Sequence, residues 1–288
     1  MRKVVVFLPP TMGDCVNHLA TLRWLRDGLP GREIVAVSSG LGLEILRTWS
    51  IEGIEVWDRN GLWWKLLRGR FDLGLFPYVQ NKMVRLARLA GVRHLVGLRG
   101  GKHDDWFAAG VDKVAGEHQV LDLCRRLFGE LGFECGTAEW DTDGLVQLGI
   151  YHKGAGFMTG ASRPDKKWPE EKFRFVAQSM KGRGYLIYNF GGQEEDGALD
   201  GIEDIDFAEG IWSFDETAEK LMAMDILVTN DTGLMHLAGA VGTPVVGIFM
   251  VESPEEYFPP GDGHELLRGD VSVEDVLAAV DRILERGN

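Results

Sequence analysis

Short, almost wholly apolar runs recur along this chain, each closed by a turn and followed by a segment with helical spacing. KVVVFLP, EIVAVSS, FDLGLFP and HLVGL lie in the first half, and LIYNFGG, DILVTN and TPVVGIFM in the second. Between them stand VNHLATLRWLRDGL, Val120–Gly132, EEKFRFVAQSMKGRG and VEDVLAAVDRILERG, whose apolar residues fall on one helical face. A strand that is apolar at every position has no face to give to water. It must be covered on both sides, and alternation with helices supplies the cover. The fold class is therefore α/β, with doubly wound, Rossmann-like parallel sheets.

At 288 residues and 32.0 kDa the chain is long enough for two such sheets. The polar, glycine-containing stretch EWDTDGLVQLGIYHKG separates the last helix of one half from the first strand of the next, giving expected domains at 1–145 and 146–288. Open α/β sheets bind ligands outside the carboxyl ends of their strands, so a cleft faced by both sheets is the expected site. The halves also echo each other. VVVFLPPTMGDCVNHLATL and ILVTNDTGLMHLAGAVG are each an apolar strand, a polar Gly/Asp turn and a helix.

No apolar run approaches the roughly 20 residues that span a bilayer. The opening MRKVVVFLPP is stopped by Pro-Pro and reads as a first strand rather than a leader. Cys15, Cys124 and Cys135 are odd in number and show no CxxC spacing, which suits a reducing, cytoplasmic setting without disulfides.

The net charge of −13 is uneven: residues 1–145 carry 19 Lys/Arg against 18 Asp/Glu, and residues 146–288 carry 12 against 26. An acidic chain lacks the footprint for general nucleic-acid binding. Residues 59–102 are the exception, with ten Lys/Arg and one acid, Asp72. They form either a solvated basic face or a place where an anionic partner docks. Inside them, GLWWKLLRGRF mixes Trp and Leu with Lys and Arg. Such a helix either turns its apolar stripe to the core or makes a peripheral membrane contact.

Three elements carry candidate chemistry. In TNDTGLMHLAGAVGTPVVGIF a strand ends in Asn230–Gly233 and a two-turn helix follows. The first N–H groups of that helix have no internal partner and, with the helix dipole, suit an anion such as a pyrophosphate. Gly233 permits close approach to the backbone. Asp231 and Thr232 either shape that site or cap the helix, and His236 either meets a phosphate or ribose or is structural. In PPTMGDC, Asp14 follows Gly13 at a strand end, as a helix cap or as a general base toward a hydroxyl. In GASRPDKKWPEEKF, Ser162, Arg163, Lys166 and Lys167 precede a helix, where a lysine would neutralise a leaving diphosphate.

GxGxxG, a P-loop, GxSxG, HExxH and an EF-hand loop are missing from the sequence. Asp141-Thr142-Asp143 and Asp204-Ile205-Asp206 match a DxD pattern too short to carry weight in an acidic half. The sequence thus points to no metal site.

Taken in order, MGDCVNHLATLRWL, FDLGLFPYVQNKMVRLARLAGVRHLVGL, EHQVLDLCRRLFGELG, DKKWPEEKF, GGQEED and TNDTGLMHLAGAVGTPVVGIF resemble glycosyltransferase family 9, the lipopolysaccharide heptosyltransferases. The resemblance covers almost the whole chain. It implies two Rossmann-like domains in the GT-B arrangement, the first binding acceptor and the second binding nucleotide sugar. It also implies metal-independent, inverting transfer of a sugar, typically heptose from ADP-heptose, with no cofactor.

By the same resemblance Asp14 corresponds to the catalytic base, with Gly13 beside it on the acceptor side. Lys166 corresponds to the lysine near the donor phosphates, Ser162 to a small hydroxyl residue upstream, and Asp231, Thr232, Gly233 and His236 to the donor-binding turn. Glu195, or its neighbour Glu194, corresponds to an acidic residue that contacts the nucleoside. The implied partners are a nucleotide-sugar donor and an anionic glycolipid acceptor of the lipopolysaccharide-core type, met at the inner face of the cytoplasmic membrane. A non-catalytic nucleotide-sugar or glycolipid binding protein is the competing expectation.

Overall fold

The structure, a computed structural model, describes residues 3–136, 153–190, 198–206 and 213–287. Glu194, Glu195 and Asp141-Thr142-Asp143 lie outside them. The chain divides into two compact units, Met1–Asp141 and Thr142–Asn288.

The first unit holds strands β1 (Lys3–Phe7), β2 (Glu33–Ser38), β3 (Ile54–Asp58), β4 (Leu73–Phe76), β5 (His94–Leu98) and β6 (Ala109–Val111). Its helices are α1 (Met12–Gly28), α2 (Gly40–Thr48), α3 (Leu62–Gly69), α4 (Asn81–Leu89) and α5 (Leu121–Gly129). All pairings are parallel, in the order β3-β2-β1-β4-β5-β6. β1 is central, and Val4 to Phe7 are buried on both faces, which is why KVVVF has no polar alternation.

Val5, Phe7, Val35 and Val37 pack beneath Leu62 and Leu66 of α3 and Val84 and Ala87 of α4, while α1 packs against α2 and α5. α3 thus turns Leu62 and Leu66 inward as its apolar stripe requires, yet leaves Trp64 64% exposed and Leu67 38%.

The second unit holds β7 (Gly154–Met158), β8 (Leu186–Asn189), β9 (Ile205–Asp206), β10 (Ile226–Asn230), β11 (Val245–Phe249) and β12 (Glu265–Arg268). Its helices are α6 (Glu170–Gly182), α7 (Phe214–Met222), α8 (Gly233–Ala240), α9 (Pro254–Tyr257) and α10 (Val273–Arg286). The order is β12-β11-β10-β7-β8-β9, again parallel throughout. Counted within its own unit, this is the first sheet's order read from the opposite edge. Capping boxes at Ser213/Glu216 and Ser272/Asp275 start α7 and α10.

In sheets of this order the chain reverses direction across the sheet between the first and fourth strands, and the loops leaving those strands diverge to open a crevice. The crevice falls between β1 and β4 in the first unit and between β7 and β10 in the second. One close approach shapes the first: Gly42 N–H donates to Pro10 O at 3.0 Å, and a Cβ at Gly42 would lie 2.5 Å from Pro9 O. Gly42→Ala is therefore expected to push α2 off the Pro9-Pro10 turn. The cost of such overpacking is about 1–3 kcal/mol, read as a fall of roughly 2–10 °C in the melting temperature of the first unit.

Candidate functional site

In the second unit the crevice is built around Asn230, the last residue of β10. Its amide Nδ2 donates to Thr159 O at 2.7 Å and Gly160 O at 3.1 Å, and its Oδ1 accepts the Trp168 N–H at 2.9 Å. One buried side chain therefore holds both ends of the loop between β7 and α6. Trp168 anchors the far end, fully buried, with its Nε1–H donated to Val271 O at 2.9 Å.

Between these fixed ends Lys166 is turned back toward the β10 turn. Its Nζ donates to Asp231 Oδ2 at 2.6 Å and lies 3.3 Å from Glu252 Oε1, in the segment after β11. Lys166 and Asp231 side chains are only 14% and 8% exposed, so the pair is weakly screened by water. Arg163 reaches Glu252 as well, at 3.3 Å, and pairs with Asp165. The Tyr257 ring stands 5.8 Å from the Lys166 ammonium.

α8 starts beside this group. Its N-cap, Thr232, makes no side-chain cap hydrogen bond, and its hydroxyl lies 3.3 Å from that of Thr229. Asp231 sits one residue before the cap with its carboxylate turned to Lys166, so neither oxygen side chain is spent on the first-turn N–H groups. That leaves an uncapped helix N-terminus next to a lysine, a combination suited to a diphosphate. Gly233 is the first residue of α8; His236, in the same turn, is buried at 7% exposure. Ser162 is exposed on the loop, four residues before Lys166. The structure therefore brings Lys166, Asp231, Thr232 and Gly233 together.

In the first unit Asp14 lies in the first turn of α1, exposed, and accepts the Thr11 hydroxyl proton at 2.7 Å. The N-cap is Thr11, not Asp14, so the carboxylate is not used as a cap. Gly13, the preceding residue, is buried. Facing β1's end from the neighbouring loops, Arg59 Nη2 donates to Leu8 O at 2.8 Å and to the Tyr78 hydroxyl at 2.5 Å, and Tyr78 itself donates to Leu8 O at 3.0 Å. Gln80 Nε2 donates to Phe7 O at 2.8 Å.

Burial pushes the Tyr78 hydroxyl up to about 12, against the opposing pull of Arg59, so it stays protonated. The buried Cys15 thiol is pushed well above its usual range by desolvation, with the Asp14 charge adding to it. Neither neighbour can act as a base near neutral pH, which leaves Asp14 as the exposed carboxylate of this turn.

Sequence reading missed Glu252, Arg59 and Tyr78. Glu252 follows β11 in the acid-rich VESPEEY, where nothing local marks it; its tie to Lys166 spans the sheet.

Residues 62–274 match the family model described as glycosyltransferase family 9 (heptosyltransferase). Lipooligosaccharide heptosyltransferase 2 of Haemophilus influenzae is 29% identical over 116 residues, 36% of this chain and 33% of that protein. The chain thus aligns with about a third of the length of that curated relative. Among solved structures, E. coli ADP-heptose LPS heptosyltransferase II superposes with a TM-score of 0.80 at 20% identity, covering 100% of both chains. E. coli heptosyltransferase WaaC with ADP gives a TM-score of 0.80 at 18% identity, covering 99% of this chain and 100% of that one. The two Rossmann-like units are those of the GT-B fold.

Proposed function

The chain belongs to glycosyltransferase family 9, and on that premise we propose that it is an inverting glycosyltransferase acting without a metal. The donor is a nucleotide-diphosphate sugar, with ADP-heptose the first candidate, and the acceptor is an anionic glycolipid of the lipopolysaccharide-core type met at the cytoplasmic face of the membrane. The observation that carries this reading is the lysine held by a stapled loop beside the uncapped start of α8.

In the reaction, Asp14 takes the proton of an acceptor hydroxyl while that oxygen attacks the anomeric carbon. The bond from that carbon to the diphosphate breaks in the same displacement, which inverts the configuration. The nucleoside diphosphate leaves with the bonding electrons. Lys166 and the α8 N–H groups meet the charge that develops on it. Ser162, Asp231, Thr232, Gly233 and His236 are assigned to the donor side, Asp231 through its hold on Lys166, and Gly13 to the acceptor side, with Glu195 on the nucleoside. Among the described residues no group of three or more His, Cys, Asp and Glu side chains is placed to hold a metal ion. Among them, too, no helix is long and apolar enough to cross a membrane.

A donor diphosphate has to draw Lys166 away from two carboxylates. Glu252→Gln removes one competitor while keeping the side chain's shape, so ADP affinity is expected to rise by about threefold to tenfold, on the order of 1 kcal/mol. Calorimetric titration reads this directly, and weaker binding in the variant would place Glu252 on the nucleotide instead.

The function itself is tested by screening ADP- and UDP-sugars for nucleotide release with and without a lipopolysaccharide-core acceptor. Acceptor-dependent release is the expected result. ADP binding with no turnover across heptose and hexose donors would make the protein a nucleotide-sugar binder.

A further inference from the structure

We propose that the outer face of α3 and α4 is a docking surface for an anionic lipid bilayer. The two helices pack side by side on one face of the first sheet. Their inner residues, Leu62 and Leu66 on α3 and Val84 and Ala87 on α4, are buried. The outer residues are of two kinds only. Trp64, Leu67 and Leu89 are large and apolar, at 64%, 38% and 61% exposure. Lys65, Arg68, Arg70, Lys82, Arg85 and Arg88 are cationic and exposed.

Along the sequence the charge of this segment is one-sided, and Glu33 of β2 and Glu55 of β3 stand only at its edge, in the groove that Lys65 and Arg68 also line. A soluble surface normally mixes both signs, and this chain carries −13 overall, yet residues 59–102 hold ten cations and one acid. That acid, Asp72, is already engaged with Arg93 at 3.4 Å and with the Lys3 N–H. Lys65 lies over the Trp57 ring at 5.2 Å. Arg68, Arg70, Lys82, Arg85 and Arg88 have no carboxylate within salt-bridge distance among the described residues.

An indole and two leucines set among unpaired cations match the headgroup region of a bilayer. The indole and leucines enter the boundary layer while the cations meet lipid phosphates. A second copy of this chain is the wrong occupant, because a two-fold contact through this face would set like charges against each other. The inference stands on exposure and charge and holds whichever sugar is transferred.

Co-sedimentation of the full chain with vesicles tests it. Binding is expected to vesicles of phosphatidylcholine mixed with phosphatidylglycerol, not to phosphatidylcholine alone, and to weaken as salt rises. The triple variant R68E/R85E/R88E is expected to lose at least about tenfold in partition, and W64S/L67S to lose binding while melting at the wild-type temperature, since both side chains are exposed. Brominated phosphatidylglycerol should quench tryptophan emission in the wild type and less in Trp64→Phe, a readout that leaves the fold untouched. Equal binding to neutral and anionic vesicles would overturn the proposal, as would binding that both variants retain. So would heparin binding as tight as vesicle binding and indifferent to W64S/L67S, which would mark a general polyanion site.

Discussion

Asp14→Asn is expected to lower kcat by about 10²–10⁴-fold, the usual contribution of a positioned general base, and to leave ADP affinity at the wild-type value. The amide keeps the size of the carboxylate and can still accept the Thr11 hydroxyl bond that Asp14 accepts at 2.7 Å. The start of α1 should therefore be preserved and only the proton acceptor lost. Nucleotide release with acceptor present reads the first effect and calorimetry the second. Full transfer by the variant would remove Asp14 from the mechanism, because Tyr78 and Cys15 beside it are held protonated by burial and cannot substitute.

Lys166→Met is expected to have two separable effects. Loss of one preorganised charge at a leaving group costs about 10²–10³-fold in transfer. It also leaves Asp231, 8% exposed, and Glu252 without their shared cation, and breaking such a pair from one side costs on the order of 3 kcal/mol of stability. The triple variant K166M/D231N/E252Q should recover most of that stability and none of the transfer. If it recovered both, Lys166 would be structural only. Lys166→Arg is not expected to rescue, since a planar guanidinium cannot replace a compact ammonium between two carboxylates at 2.6 and 3.3 Å.

The parts of this fold that sequence reading found and missed divide on physical lines. The central strands β1, β2, β4, β5, β8, β10 and β11 were visible because a strand buried on both faces must be apolar throughout. Strands β3, β6, β9 and β12 were not picked out, and these four are the edges of the two sheets. An edge strand pairs on one side only and tolerates polar residues, as IEVWD and ELLR do, or runs very short, as AGV does. β7 is the fifth, central but written GAGFM. Its glycines answer to crowding, since a Cβ at Gly156 would fall 2.9 Å from the Phe190 ring and 3.1 Å from Leu227.

The site divides the same way. Asp14, Lys166 and the Asp231–Gly233 turn sit at strand ends ahead of helices, a position that sequence marks. Asn230 read only as the first residue of a turn, whereas its side chain bonds residues 71, 70 and 62 positions away. No local pattern announces a contact of that range. Asp14 and Thr232, each readable from the sequence as a helix cap, make no side-chain cap hydrogen bond at the start of α1 or α8.

The parallel pairing of β7 with β10 has a consequence in time. Ala155 is registered against Ile226, so when β7 leaves the ribosome its partner on that side has yet to be made. At synthesis rates of roughly 5–20 residues per second the wait is several seconds. During it, that edge of an apolar strand stays open to other chains, and the loop that carries Lys166 has no Asn230 to close on. The loop that carries Lys166 is thus closed only after β10 has been made, and expression at reduced temperature or with chaperones should favour the yield of the second unit more than that of the first unit alone.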